Sequence, residues 1–166
     1  MFKKLILALA VVLPMSAFAQ KFGSVNVDEI TPSMPEYQAA EAQISEASKK
    51  YEAEFQKLTE ELNKLYTDFQ TIQNDPDTPD TIKERRMQEI QERGANVDKF
   101  RATAQQDLQR QSEQLLAPIQ QKVFEAIRAV GQEGNFTAIV PFETVFLYQG
   151  PDVEDVTPKV KAKLGL

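Results

Sequence analysis

The sequence predicts a mainly α protein with a small β body, in which a long antiparallel helical hairpin (a coiled-coil arm) projects from a small β-sheet oligomerisation hub. Three observations predict it. Two heptad series of apolar residues share one turn centre, and short β-forming stretches lie on either side of that helical zone. Aromatic residues make up only 8% of the 166 while Gln and Glu abound, which suits extended helices and not a thick core. The composition also excludes chemistry. With no Cys, His or Trp, disulfide frameworks, zinc fingers, redox dithiols, Cys nucleophiles and His-based acid–base catalysis all fall away. Lys+Arg number 19 against Asp+Glu 25, a net charge of −6, so the cationic block that binds phosphate backbones is missing and no nucleic-acid partner is expected.

The first element is a targeting segment, residues 1–19. Lys3 and Lys4 precede the apolar run Leu5 to Leu13, and Ala17-Phe18-Ala19 supplies small residues at the −3 and −1 positions of a cleavage site before Gln20. The run is shorter than the roughly 20 residues a permanent span requires, so cleavage and no stable membrane insertion are expected. A buried N-terminal helix is the competing reading, but it does not account for the small residues at the cleavage site. Losing Lys3 and Lys4 takes the net charge from −6 to −8. With bacterial-type signal chemistry the destination is the periplasm, where no ATP is available.

Phe22 to Val27 alternates and is β-branched, as a short strand should be. Asp28 to Pro32 breaks it. A long helix is predicted from Ser33, with Glu36 closing a capping box and Pro35 tolerated in the first turn, to about Gln73. Residues 74–78 form the turn, and Thr78 is expected to cap a second helix that has Pro79 at its first position. That helix reaches about Val130 and ends at Gly131 or Gly134. Phe136 to Val140 and Thr144 to Tyr148 read as a β-hairpin, and Thr157-Pro158 opens a last short helix closed by Gly165.

The arm is argued from register. Ile44, Ser48, Tyr51, Phe55, Leu58, Leu62, Leu65, Phe69 and Ile72 keep a 4-3 spacing throughout. A weaker series runs through Met87, Ile90, Gly94, Val97, Arg101, Ala104, Leu108, Gln111 and Leu115. Folding the chain about Pro76 sets Leu65 opposite Met87, Leu62 opposite Ile90, Leu58 opposite Gly94 and Phe55 opposite Val97. Further down, Tyr51 meets Arg101, Ser48 meets Ala104 and Ile44 meets Leu108. Large residues often face small ones, as interdigitated packing requires. The seam is therefore assigned to Tyr51, Phe55, Leu58, Leu62, Leu65, Met87, Ile90, Val97 and Leu108. About 40 paired residues at 1.5 Å each make an arm on the order of 60 Å long, with most of its surface wet.

Beyond Pro118 the second helix outruns the first, and Ile119, Val123, Phe124, Ile127 and Val130 form an apolar face expected to pack on the strands. The arm is thus 33–117 and the β-containing body 20–32 with 118–166. Three short strands and a helix end make a marginal core, and a partner chain is the usual remedy. Oligomerisation is expected through the body strands, at Phe22, Val25, Val27, Ile139, Val140, Val145 and Leu147.

Candidate chemistry is thin. Glu60-Glu61 lies on a coiled-coil surface, where charge is ordinarily solvated. Asp152, Glu154 and Asp155 lack the twelve-residue calcium loop and its glycine, so capping the last helix is the stronger reading. Asn135-Phe136-Thr137 fits a glycosylation pattern that an exported bacterial protein would ordinarily ignore. Tyr51 opposite Arg101 invites a cation–π contact or simple snorkelling of the arginine. Lys83, Arg85, Arg86 and Arg93 are locally basic, yet from Asp80 to Arg101 six cations meet five acids, a solvated face more than a polyanion site. Gly94 either lets the helices approach or softens the arm. No phosphate loop, serine elbow or metal-ligand cluster is present, so catalytic, metal and cofactor sites are all read as none and an enzyme is not expected.

The layout resembles the Skp/OmpH family of periplasmic chaperones over essentially the whole mature chain. The matching stretches are Lys21-Phe22-Gly23-Ser24-Val25-Asn26-Val27, Met34-Pro35-Glu36-Tyr37, Ala104-Gln105-Gln106-Asp107-Leu108-Gln109, Leu115-Leu116-Ala117-Pro118-Ile119 and the tail from Asp155 to Leu166. The resemblance implies a homotrimer whose bodies form a hub and whose arms surround a cavity. It implies that unfolded outer-membrane β-barrel proteins are held there during transit across the periplasm, without nucleotide or cofactor. One departure has a physical consequence. Members of the family are basic and this chain is acidic, so apolar contacts must carry more of the binding. The rival from another class is an exported coiled-coil tether or adaptor of the cell envelope, with a fixed partner and no effect on aggregation.

Overall fold

The computed structural model describes residues 20–142 and 148–166. In chain order the elements are β1 (Phe22–Val25), α1 (Val27–Ser33), α2 (Pro35–Gln73), α3 (Asp80–Glu133), β2 (Ala138–Pro141), β3 (Val153–Asp155) and α4 (Thr157–Leu164). The mainly α class with a long helical hairpin and a small sheet is what the chain adopts. It divides into two compact units, one of residues up to Met34 with Ile119–Leu166, the other Pro35–Pro118.

The first unit is built on a three-stranded sheet in the order β2-β1-β3. Both pairings are parallel, with Gly23 opposite Ile139 on one side and Glu154 on the other. Only the first strand of the expected β-hairpin falls wholly among the described residues. β2 pairs with the N-terminal strand, and a parallel pair cannot be closed by a short turn, so the whole helical zone serves as the crossover. Residues 144–147 of the expected second hairpin strand, Val145 and Leu147 among them, lie outside the described residues. The third strand, Val153–Asp155, is one the sequence reading missed. Two of its three residues are charged, and an edge strand that short carries no alternation to read.

β1 also stops earlier than expected. The Asn26 side chain accepts a hydrogen bond from the Glu29 N–H (2.9 Å), capping α1, whose first turn holds Asp28 and Glu29 beside the positive end of its dipole. Val27 is therefore a helical residue, not a strand residue. The expected capping box at Ser33 does not form either. The Ser33 hydroxyl donates backwards, to Ile30 O (2.7 Å) and Glu29 O (3.1 Å), and Met34 is extended (φ −78°, ψ 128°) because a residue before proline is excluded from the α region. The long helix starts one residue later, at Pro35.

The core of this unit is Val25, Ile30, Met34, Val156 and Val160 together with one face of α3, Ile119, Val123, Ala126 and Val130. Phe124, expected on that face, is instead 57% exposed, since the 4-3-4 spacing of the buried residues turns it outward. Ile127 is half-buried. Asn26 N donates to the buried Thr157 hydroxyl (2.9 Å), and Val156 N donates to Ser24 O (2.8 Å). These bonds tie the start of α4 to β1. α3 ends with Asn135 in the left-handed region (φ 52°), where Phe136 N reaches Gly131 O (3.0 Å) and Asn135 N reaches Gln132 O (3.3 Å). This pair of bonds satisfies carbonyls the helix leaves unpaired. Gly165 (φ 78°) closes α4 in the same way.

The second unit is the hairpin of α2 with α3 up to Pro118. In it Phe69, Ile90, Ala104 and, outside the predicted series, Ala40 are buried, while Tyr51, Phe55, Leu58, Leu62, Leu65, Val97 and Leu108 are half-buried. Met87 departs from the predicted seam at 39% exposure, and Ser48 and Arg101 are exposed. At the turn Asp75 gathers Thr78 Oγ1 (2.6 Å) and Asp77 N (3.1 Å) on its carboxylate and Lys83 Nζ (2.9 Å) on its carbonyl. Thr78 is thus spent on Asp75. The first bonds of α3 run from Ile82 N and Lys83 N to Pro79 O.

Candidate functional site

The readings that concern chemistry are answered by local geometry. Glu154 lies between two ammonium groups, paired with Lys21 at 2.9 Å and with Lys159, and the bond from Lys159 followed by that from Lys21 holds its carboxyl below the usual range. Asp155 accepts from Thr157 N (2.9 Å) at the start of α4, the capping role expected for this acidic group. Among the described residues no three acidic side chains come together as a metal site. Asn135 is used for its backbone conformation.

Tyr51 engages neither side of the cation–π expectation. Its ring sits 6.1 Å from that of Phe100, centroid to centroid, and its hydroxyl donates to Asp107 Oδ2 (3.1 Å), whose Oδ1 accepts from Arg110 (2.7 Å). Asp107 raises the Tyr51 phenol's pKa through that bond. Phe100 lies one residue from Arg101, the expected partner. Cation–π contacts occur instead at Phe136, with Lys21 at 4.1 Å and Lys159 at 5.9 Å from the ring centre. Gly94 has nothing within 4 Å of where a Cβ would be, so it is not a close-approach glycine. In the basic stretch Arg86 pairs with Glu89 (2.7 Å) and Lys83 with the Asp75 carbonyl, which spends half of that cluster inside the arm.

What the arm offers is surface. Two open grooves run between α2 and α3 and share Ser48. One, of about 820 Å³, is lined by Ile44, Leu116 and small polar residues, and the other, of about 210 Å³, by Tyr51, Phe55, Phe100 and Leu108. Farther toward the turn Tyr66, Ile82 and Met87 are exposed. In the other unit the exposed apolar residues are Phe22, Phe124, Phe142, Tyr148 and Leu166. The expected oligomerisation residues scatter over this picture. Phe22 is 39% exposed, Ile139 and Val140 are half-buried, and Val25 is 2% exposed, committed to the unit's own core. Sequence reasoning missed Phe100 and Phe142, since neither lies on a seam or in an expected strand. It also missed the Lys21–Phe136 contact, which joins residues far apart in the chain.

No helix among the described residues is long and apolar enough to cross a membrane. A family model, outer membrane protein (OmpH-like), matches residues 21–164. No curated protein matches by sequence. Among solved structures, a proposed outer membrane chaperone (OmpH-like) from Caulobacter crescentus CB15 is similar with a TM-score of 0.70 and 14% identity, over 89% of this chain and 85% of that one. The family model spans both units. This chain belongs to the OmpH-like outer membrane protein family.

Proposed function

We propose that this protein is an ATP-independent holdase chaperone of the periplasm, which binds unfolded outer-membrane β-barrel proteins between the arms of a homotrimer and keeps them from aggregating in transit. The observation that carries the reading is the half-buried seam of the Pro35–Pro118 unit. A two-helix arm leaves apolar side chains such as Tyr66, Ile82 and Met87 in contact with water, and its grooves are open. Many weak apolar contacts along such an arm hold a chain that alternates apolar and polar residues while leaving it mobile, which limits the entropy cost of capture. Exposed Phe22, Phe124, Phe142 and Tyr148 on the sheet-bearing unit support assembly through that unit, and three copies is the number proposed. The leader expected at residues 1–19 supports the compartment.

The test is light scattering of a urea-diluted outer-membrane barrel protein mixed with the mature chain. Suppression without nucleotide is expected, and it should persist within a few fold between about 0.05 and 0.5 M salt, because apolar contact is not screened while charge attraction is. Loss of protection at high salt would assign the grip to charge. Absence of protection at stoichiometric trimer would favour a structural tether.

A further inference from the structure

The two grooves that meet at Ser48 form one trough. From Gln38 to Phe55 it follows α2 for about 26 Å, at 1.5 Å per residue. It exists because the seam is filled with small side chains there. Ser48 and Ala104 stand opposite each other in the predicted register, Ala40 lies a little below them, and Ser48 is exposed although it occupies a seam position. The floor is apolar, with Ile44 and Leu116 at one end and Phe55, Phe100 and Leu108 at the other. The rim is of two kinds. Ser45, Ser48, Ser112 and Gln105 bring neutral hydroxyls and an amide, and each groove adds one acid and one base, Glu41 with Lys49 and Glu52 with Arg101.

We propose that this trough, between the two helices of a single arm, is a binding site for an extended, uncharged segment of a client with alternating apolar side chains. The inference rests on the holdase reading and places one client-contacting site within it. The length fits about eight extended residues at roughly 3.3 Å each, close to the 9–11 of a membrane-spanning strand. The rim selects an extended chain over a helix. A strand arrives with unpaired backbone N–H and C=O groups that hydroxyls and amides can satisfy, whereas a helix pairs its own. The balanced charges of each groove complement an uncharged segment and give a charged one no net attraction.

The probe is a fluorescent ten-residue peptide of alternating valine and threonine, followed by anisotropy with the mature protein. Ser48→Leu plugs the junction of the two grooves from an exposed position, and Gln105→Trp fills the second groove from the facing helix; Thr67→Leu adds apolar bulk outside the trough. Circular dichroism checks that each variant keeps its helices. Both plugging variants should weaken peptide binding about tenfold or more, a loss of about 1.4 kcal/mol or more, while Thr67→Leu leaves it unchanged. Wild-type protein that does not bind the peptide, or plugged variants that bind it equally, would overturn the site. So would an amphipathic helical peptide of equal length that displaces the probe at equal concentration, which would mark the trough as a seat for a helix such as a second arm. The parallel scattering assay separates the two readings. Failure of wild-type protein to suppress aggregation sinks the holdase reading, while full suppression with unaltered peptide binding by the plugged variants sinks only the trough.

Discussion

The Lys21 ammonium lies 4.1 Å from the centre of the Phe136 ring, joining the residue before β1 to one three residues past the end of α3. Phe136 is seated by absence of side chains around it. A Cβ on Gly23 would approach its ring to 3.1 Å, and one on Gly134 would come within 2.7 Å of Cδ2 and 3.1 Å of the Val130 carbonyl. Lys21 bridges from there to Glu154 on β3, and Lys159 reaches the same carboxylate from α4. Ring, glycines and cations thus form one clasp over the sheet.

Phe136→Ala should therefore lower the stability of the sheet-bearing unit by about 2 kcal/mol, less than a fully buried aromatic because the ring is half-exposed. Lys21→Met, which keeps the apolar stem, should cost about 0.5–1 kcal/mol. Urea titration followed by circular dichroism measures both. Gly134→Ala should be as damaging as the loss of the ring, since backbone blocks its Cβ as well as Phe136.

A pH dependence follows from Glu154. Its pKa is lowered in the folded chain, so its contribution is present above the ordinary value of 4.5 and is lost as pH falls through the folded value. The melting temperature should fall as the buffer is taken from about pH 5 to pH 3, and less steeply in Glu154→Gln. The remaining slope belongs to Glu46 and Asp75, whose carboxyls Lys50 and Thr78 hold low in the same way. Equal slopes in the two proteins would show that the clasp does not titrate.

Asn135 and Gly94 make opposite predictions about backbone. Asn135 is left-handed, so Asn135→Val should destabilise by about 1–2 kcal/mol and Asn135→Gly should be near neutral. Gly94 is helical with open space at its Cβ, so Gly94→Ala should stabilise the arm by about 1 kcal/mol. Thermal melts of the three variants test both.

Register is testable by cross-linking. Cysteines at Leu62 and Ile90 should form a disulfide within one chain, while Leu62 with Val97, offset by seven residues or about 10 Å, should not. Equal yields from both pairs would contradict a single hairpin register.

The hairpin was legible because its information is local and repeated. A seam of nine residues at 4-3 spacing, a second seam sharing its turn centre and the Asp75–Pro79 turn each report the same geometry, and a helix bonds only to itself. The sheet was not legible in that way. That Ala138–Pro141 runs beside Phe22–Val25 is decided by pairing across more than a hundred residues, to which no local pattern bears witness. Val153–Asp155 becomes a strand only because β1 offers it a free edge. Val27 went to a helix because the Asn26 side chain found the Glu29 N–H. The candidate site divides along the same line. Heptad spacing alone places Tyr51 and Phe55 on one stripe and Leu108 on that of the other helix, but the trough beside them depends on how far two helices stand apart over Ser48 and Ala104. That separation is set by side-chain volumes meeting across the seam, a property of the packed pair and of neither helix alone.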